Sequence, residues 1–186
     1  MSRAREVRVC VLRTAGTNCD YETAYAFEKA GARVERLHVN RLAEKPAALD
    51  RFHILALPGG FSYGDDIASG KVLANELRHR LEEAIRRFQR DGRLMIGICN
   101  GFQVLVKAGL LPGLKDMQTQ ATLTNNDRGR FDDRWINLRA EDSVCAFLRP
   151  GENLYLPIAH GEGKFVADKT VLAELRTRRM VVVRYA

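Results

Sequence analysis

The stretch RLMIGICNGFQVLVKAGLLPG, from Arg93 to Gly113, decides the fold prediction. It opens with an apolar run typical of a buried strand, and the residues after Cys99 place apolar side chains at helical spacing. Gly109 is typical of a residue that ends a helix. The sequence therefore places Cys99 at a junction where a strand passes directly into a helix.

Cys99 is the centre of a G-x-C-x-G pattern with Gly97 and Gly101. In a sharp strand-to-helix turn, the residues two before and two after the centre come close together, so both must be small. The turn strains the central residue and presents its side chain beside a helix N-terminus, which favours the thiolate. The adjacent Asn100 backbone N–H can stabilise an oxyanion there. The pattern favours a nucleophilic cysteine over the alternative of a buried cysteine in a tight turn.

Strands and helices alternate up to this junction. Strands are predicted at residues 7–13, 33–39, 53–60 and 93–98, and helices at 21–32, 70–92 and 100–109. This order predicts an α/β protein with three α/β/α layers and a mainly parallel central sheet, of the flavodoxin-like type. Binding residues are expected in the loops beyond the carboxyl ends of the strands.

The pattern changes after Gly113. Strands are predicted at 133–140 and 152–159 as an antiparallel extension, followed by a helix at 169–180 and a last strand up to Ala186. With 186 residues, 46% of them hydrophobic and 28% charged, the chain suits one domain spanning 1–186.

The net charge of +7 raises the question of nucleic-acid binding. The arginines of segment 76–93 are interleaved with glutamates, which is typical of a solvated helix face, and aromatic residues suited to base stacking are missing there. The N-terminal segment is basic but lacks the apolar core of a signal peptide. We therefore expect a cytoplasmic protein that binds neither nucleic acid nor membrane.

The segment LPGGFSYGDD, residues 57–66, leaves a predicted buried strand through two glycines. The backbone at Gly60 can approach a ligand closely, and its N–H is a candidate second oxyanion donor. Asp65 and Asp66 are residue types that bind metal ions, but no further carboxylate or histidine accompanies them. The sequence therefore predicts no metal site.

A cysteine nucleophile needs a base. His160 follows a predicted strand and lies among glycines, in PIAHGEGKF, and is the best candidate by local sequence. Glu162 is a candidate for the carboxylate that would orient its ring. The other histidines, His38, His53 and His79, are predicted to be structural or exposed.

Together, the segments TAGTNCD, LPGGFSYGDD, GICNGFQVLVKAGLLPG and LPIAHGEGKF resemble those of class I glutamine amidotransferases. Among these they are most similar to the glutaminase subunits of phosphoribosylformylglycinamidine synthases. The resemblance implies one type 1 amidotransferase domain that hydrolyses glutamine to glutamate and ammonia. It also implies transfer of ammonia to a synthetase subunit, which makes formylglycinamidine ribonucleotide in purine biosynthesis.

The resemblance also implies roles for single residues. Cys99 would form a thioester with the substrate, and the backbone N–H groups of Gly60 and Asn100 would form the oxyanion hole. The residues implied to contact glutamine are Gln103, His160 and Gly161. No cofactor is implied for this chain, because ATP and magnesium belong to the synthetase subunit, and a small accessory subunit is a further implied partner.

The sequence departs from the family pattern at its C-terminal end. The family carries its catalytic histidine and glutamate in a Pro-His-Pro-Glu segment, which does not occur before Ala186. Three explanations are open: the chain is a fragment of a longer gene product whose fold is incomplete at its C-terminus, it is a non-catalytic module that docks on a synthetase, or His160 serves as base. A different cysteine-elbow α/β hydrolase is the remaining alternative, although it leaves GGFSYGDD unexplained.

Overall fold

The computed structural model describes residues 6–186, so part of the N-terminal segment used for the signal-peptide prediction lies outside the described residues. The central sheet contains β1 (Arg8–Arg13), β2 (Arg33–His38), β3 (Ile54–Leu57) and β4 (Leu94–Gly97). All its pairings are parallel, in the order β2-β1-β3-β4. The predicted α/β fold with a mainly parallel central sheet is confirmed.

Helices cover both faces of this sheet. They are α1 (Asp20–Lys29), α2 (Val39–Glu44), α3 (Lys71–Arg80), α4 (Glu82–Arg90) and α5 (Asn100–Lys107). Within β1, Cys10 and Leu12 join the core that contains side chains of α3, α4 and α5, whereas Val9 and Val11 pack with Ala24 of α1. Because successive strand residues point to opposite faces, one apolar strand supplies both cores.

The single helix predicted over residues 70–92 is wrong: α3 and α4 are separate helices. The chain bends at Leu81, whose φ of −127° is not helical and whose side chain is buried. The bend lets α3 pack on α5 while α4 packs on a short 3-10 helix at Pro46–Arg51. Apolar spacing alone does not reveal this bend, because both helices continue the same periodic pattern.

The C-terminal part forms two antiparallel sheets. One pairs β5 (Ala121–Thr124) with β8 (Lys164–Ala167), and the other contains β6 (Asp132–Ala140), β7 (Asn153–His160) and β9 (Val183–Tyr185) in the order β7-β6-β9. Helix α6 (Lys169–Thr177) precedes β9. The predicted antiparallel extension is confirmed. Strands β5 and β8 were not predicted, because four residues show too little alternation.

The interleaved charges of α3 and α4 pair on the helix surface. Arg80 contacts Glu76 and Arg86 contacts Glu82, both at i,i+4 spacing. This arrangement fits the predicted solvated face. No helix within residues 6–186 combines the length and apolarity needed to cross a membrane.

Candidate active site

The turn between β4 and α5 has the geometry predicted for an elbow. Cys99 has φ +52° and ψ −113°, a strained conformation for a residue other than glycine, and its side chain is exposed. A Cβ at Gly97 would lie 2.6 Å from the carbonyl oxygen of Gly101. A Cβ at Gly101 would overlap the carbonyl group of Leu57. Both glycines are therefore required by close backbone contacts.

The loop after β3 runs alongside the cysteine. A Cβ at Gly59 would lie 3.4 Å from the Cβ of Cys99, so the chain immediately before Gly60 packs against the cysteine. Gly60 has φ +134° and forms an isolated antiparallel bridge with Thr17 in the loop after β1. The loops at the carboxyl ends of β1, β3 and β4 therefore meet, as expected for a parallel sheet.

The two predicted oxyanion donors are backbone N–H groups that have no other hydrogen-bond acceptor among the described residues. No hydrogen bond from the backbone N–H of Gly60 or of Asn100 is found within residues 6–186. Donors held in place beside a nucleophile can stabilise the negative charge of a tetrahedral intermediate. The arrangement can therefore support attack of the Cys99 thiolate on a carbonyl carbon.

The side chain of Asn100 has a role that the sequence did not indicate. It is buried, its Oδ1 accepts from the Ser62 backbone N–H at 3.1 Å, and its Nδ2 donates to Asp65 at 3.0 Å. Asp65 also accepts from the Gly70 N–H at the start of α3. Asn100 therefore fixes the loop that carries Gly60 to the N-terminus of α5.

One face of α5 holds the turn between β7 and β8. Gln103 donates from Nε2 to the backbone carbonyl of Glu162 at 3.0 Å, and its Oε1 accepts from Asn100. One turn further on, the Lys107 ammonium contacts the Glu162 carboxylate at 3.2 Å and donates to the Ser69 carbonyl. Gln103 lies at the site, while its contact with substrate stays a prediction.

His160 lies at the end of β7, and its ring is oriented by Asn126, a residue in a loop that local sequence does not connect with it. Its Nδ1 is 2.9 Å from Oδ1 of Asn126. The expectation that Glu162 orients His160 is wrong, because that carboxylate pairs with Lys107 instead. Gly161 follows His160, and its carbonyl accepts from the Asn126 N–H at 2.9 Å.

A cavity of about 410 Å³ opens between α5 and the sheet that contains β6 and β7. Cys99, Gln103 and His160 line it together. Much of the remaining wall is apolar and includes Ile98, Phe102, Leu123, Ile136 and Leu138. Most of the predicted site residues therefore lie in or beside one cavity.

The other cysteines differ from Cys99 in setting. Burial raises the pKa of Cys10 to about 12, from the ordinary value of 9.0. The pKa of Cys19 is raised by partial burial and by the neighbouring Glu22. Cys19 is nevertheless exposed, and its sulfur would lie 3.6 Å from a Cβ at Gly59, so it borders the same loop as Cys99.

Sequence reasoning missed Asn126, Lys107 and the side-chain role of Asn100. Each acts through contacts between elements distant in the chain, so local spacing contains no signal for it. Asp65 is accounted for by its hydrogen bonds to Asn100 and Gly70. Within the described part of the chain, no group of three or more histidine, cysteine, aspartate or glutamate side chains could hold a metal ion.

Comparison with known proteins gives consistent matches. The family model for the CobB/CobQ-like glutamine amidotransferase domain matches residues 6–186. The phosphoribosylformylglycinamidine synthase subunit PurQ of Dehalococcoides mccartyi is 53% identical over 174 residues, covering 92% of this chain and 68% of that protein. PurQ of Thermus thermophilus is 41% identical over 184 residues, covering 97% of this chain and 74% of that protein.

A solved structure gives the same result. A chain in the structure of PurLQS from Thermotoga maritima superimposes with a TM-score of 0.76 at 33% identity, covering 97% of this chain and 75% of that chain. The chain thus spans about two thirds to three quarters of the length of these similar proteins.

Proposed function

Because the chain belongs to the family of CobB/CobQ-like glutamine amidotransferase domains, we propose that it is the glutaminase subunit of a phosphoribosylformylglycinamidine synthase. The family, and with it the class of enzyme, is the one predicted from the sequence. In this proposal the chain hydrolyses glutamine to glutamate and ammonia, and the ammonia serves the synthesis of formylglycinamidine ribonucleotide in purine biosynthesis.

The strained turn at Cys99 is the observation that carries the proposal. The Cys99 thiolate attacks the side-chain carbonyl carbon of glutamine, and the Gly60 and Asn100 N–H groups stabilise the resulting oxyanion. A C–S bond forms, the C–N bond breaks, and the nitrogen takes up the equivalent of the proton that the Cys99 thiol lost on ionising and leaves as ammonia. Water then hydrolyses the thioester, which gives glutamate and regenerates the thiol.

The names of the similar proteins support the proposed partners. PurQ is named as a subunit, and the similar chain in the Thermotoga maritima structure comes from PurLQS. We assign this chain a synthetase subunit as partner, which uses ATP and magnesium, together with a small accessory subunit. The cytoplasm is the proposed location. Residues 1–186 are proposed to form one amidotransferase domain.

Covalent labelling with a glutamine-mimicking electrophile tests the proposal. The expected result, by intact mass and peptide mapping, is one adduct at Cys99 whose formation free glutamine blocks. Cys99→Ser is expected to abolish the adduct, and Cys145→Ser is the matched control that retains it. Labelling spread over several cysteines, or unaffected by glutamine, would contradict the proposed glutamine site and favour a docking module without catalysis.

A further inference from the structure

The side-chain amide of Asn126 can have only one orientation. Its Oδ1 accepts from the backbone N–H of Gly163 at 3.2 Å. Its Nδ2 donates to the backbone carbonyls of His160 at 2.8 Å and Arg130 at 3.0 Å. If the oxygen and nitrogen were exchanged, the amide NH2 group would face the Gly163 N–H, and the amide oxygen would face the carbonyl oxygens of His160 and Arg130. Asn126 is buried, and all of these partners are protein groups.

This orientation decides the protonation of the His160 ring. Nδ1 of His160 is 2.9 Å from Asn126 Oδ1, which can only accept, so Nδ1 must carry a hydrogen. In the neutral ring, Nε2 then has no hydrogen and is the acceptor. A Cβ at Gly163 would overlap the His160 ring, so the ring packs tightly against the following turn and has little freedom to flip.

Two other histidines have the opposite arrangement. Nδ1 of His38 accepts from the Asn40 backbone N–H at 3.2 Å, and Nδ1 of His53 accepts from the Arg8 backbone N–H at 2.9 Å. A backbone N–H can only donate, so both neutral rings carry their hydrogen on Nε2. His160 therefore differs from both within the same chain.

Nε2 is the edge of the His160 ring that is available to a ligand. His160 lines the cavity beside Cys99, and among the described residues its Nδ1 has a hydrogen-bond partner whereas its Nε2 has none. Two acceptors near His160 already have donors, because Gln103 Oε1 accepts from Asn100 and the Glu162 carboxylate accepts from Lys107. An acceptor nitrogen in a mostly apolar cavity suits a ligand that carries an N–H group.

We propose that Asn126 is a positioning residue that fixes His160 as the Nδ1–H tautomer, so that Nε2 accepts a hydrogen bond from an N–H group of the amino-acid substrate. The identity of the substrate rests on the proposed function, whereas the tautomer does not. Two groups of glutamine have this chemistry, the α-ammonium and the side-chain carboxamide, and they are distinguished by the experiment.

NMR of the imidazole nitrogens in ¹⁵N-labelled full chain tests the tautomer directly. At a pH where the rings are neutral, His160 is expected to show the Nδ1–H pattern, and His38 and His53 the Nε2–H pattern as internal controls. An Nε2–H pattern for His160 in the unmodified chain overturns the proposal, and this result does not depend on any variant folding.

Two substitutions at Asn126 test the positioning role. Asn126→Ala removes the acceptor, so the His160 signals are expected to lose the pure Nδ1–H pattern. Asn126→Asp keeps an acceptor for Nδ1–H and is expected to keep that pattern. A His160 pattern that Asn126→Ala leaves unchanged, in a chain with native circular dichroism, overturns the role assigned to Asn126.

Protection of Cys99 tests the contact with substrate. His160→Asn keeps a donor for Asn126 but has no atom at the Nε2 position. Loss of one buried hydrogen bond corresponds to about 1–2 kcal/mol, so the glutamine concentration needed for protection is expected to rise about tenfold. Alkylation by iodoacetamide without glutamine reports whether the Cys99 thiol itself has changed.

Two analogues distinguish the donor group. 4-Carbamoylbutanoate lacks the α-ammonium, and glutamate γ-methyl ester lacks the carboxamide N–H. One of the two analogues is expected to protect Cys99 equally well in the unmodified chain and in His160→Asn. That analogue lacks the N–H group that donates to Nε2 of His160. Equal protection by glutamine in the unmodified chain and in His160→Asn overturns the substrate contact. Failure of glutamine to protect the unmodified chain instead contradicts the proposed function and leaves the tautomer result intact.

Discussion

The Cα of Gly101 packs against the carbonyl group of Leu57, so closely that one added methyl group would overlap the oxygen. This contact brings α5 against the end of β3. The Leu57 carbonyl also accepts from the Ile98 N–H at 3.0 Å, which ties the turn to the same strand. The position of Cys99 therefore depends on the absence of a side chain two residues later.

Gly101→Ala is expected to destabilise the fold and remove selective labelling at Cys99. Overpacking against a rigid backbone costs about 1–3 kcal/mol or more. Gly151→Ala is the control: Gly151 has φ +82° with open space around it, so only backbone strain of about 1 kcal/mol is expected. Urea unfolding and labelling together measure both effects, and equal losses in the two variants would contradict the steric explanation.

Asn100→Asp tests the link between α5 and the Gly60 loop. The new carboxylate would still accept from Ser62 N–H, but it would face the carboxylate of Asp65 and the Gln103 oxygen. A loss of about 2–3 kcal/mol is expected near neutral pH, because the buried donor is replaced by a charge. Protonation at lower pH restores a donor, so the deficit should shrink on acidification.

Asn137→Asp, at an exposed position of β6, is the control for added charge. Urea unfolding at several pH values measures the difference between the two variants. A deficit in Asn100→Asp that does not depend on pH would contradict the repulsion from Asp65.

Lys107→Met tests the pair that holds the turn after His160. Both partners are largely shielded from solvent, and the substitution leaves Glu162 without its cation. A loss of about 1–3 kcal/mol is expected, together with weaker protection of Cys99 by glutamine. The matched control is Lys164→Met, whose pair with Asp127 is exposed and should contribute less than about 1 kcal/mol. Chemical denaturation distinguishes the two, and equal losses would contradict the role given to Lys107.

The buried thiol of Cys10 is expected to make the free energy of unfolding depend on pH. Burial raises its pKa to about 12, whereas an unfolded thiol ionises near the ordinary value of 9.0. Above that ordinary value the unfolded state releases a proton that the native state keeps, so this thiol lowers the free energy of unfolding by up to about 1.4 kcal/mol per pH unit. The contribution is absent at lower pH, where both states hold the proton.

Cys10→Val removes the ionisable group and keeps an apolar side chain of similar size. The difference in unfolding free energy between the variant and the unmodified chain is therefore expected to change between about pH 8 and about pH 10. In the same range, Cys10 should stay unmodified by iodoacetamide in the native chain. A difference that is constant with pH would contradict the raised pKa.

Local sequence was enough for the elements that surround the site. Gly31 and Gly109 have the positive φ values expected at helix ends, and the strands of the parallel sheet lie close to the predicted ranges. Gly97 and Gly101 around Cys99 have the close contacts that the elbow pattern requires. These features depend on near neighbours in the chain, so a single sequence contains their signal. The roles of Gly60, Gln103, His160 and Gly161 stay predictions.

Sequence by itself determined the parallel α/β architecture, the strand-to-helix turn at Cys99 and the family, because periodicity, glycine spacing and motif order are properties of the linear chain. Only the tertiary structure decided that Asn126 contacts His160 and that Glu162 pairs with Lys107. These contacts join residues 34 and 55 positions apart. Packing and the need of buried polar groups for hydrogen bonds select these partners. Local sequence patterns do not indicate them.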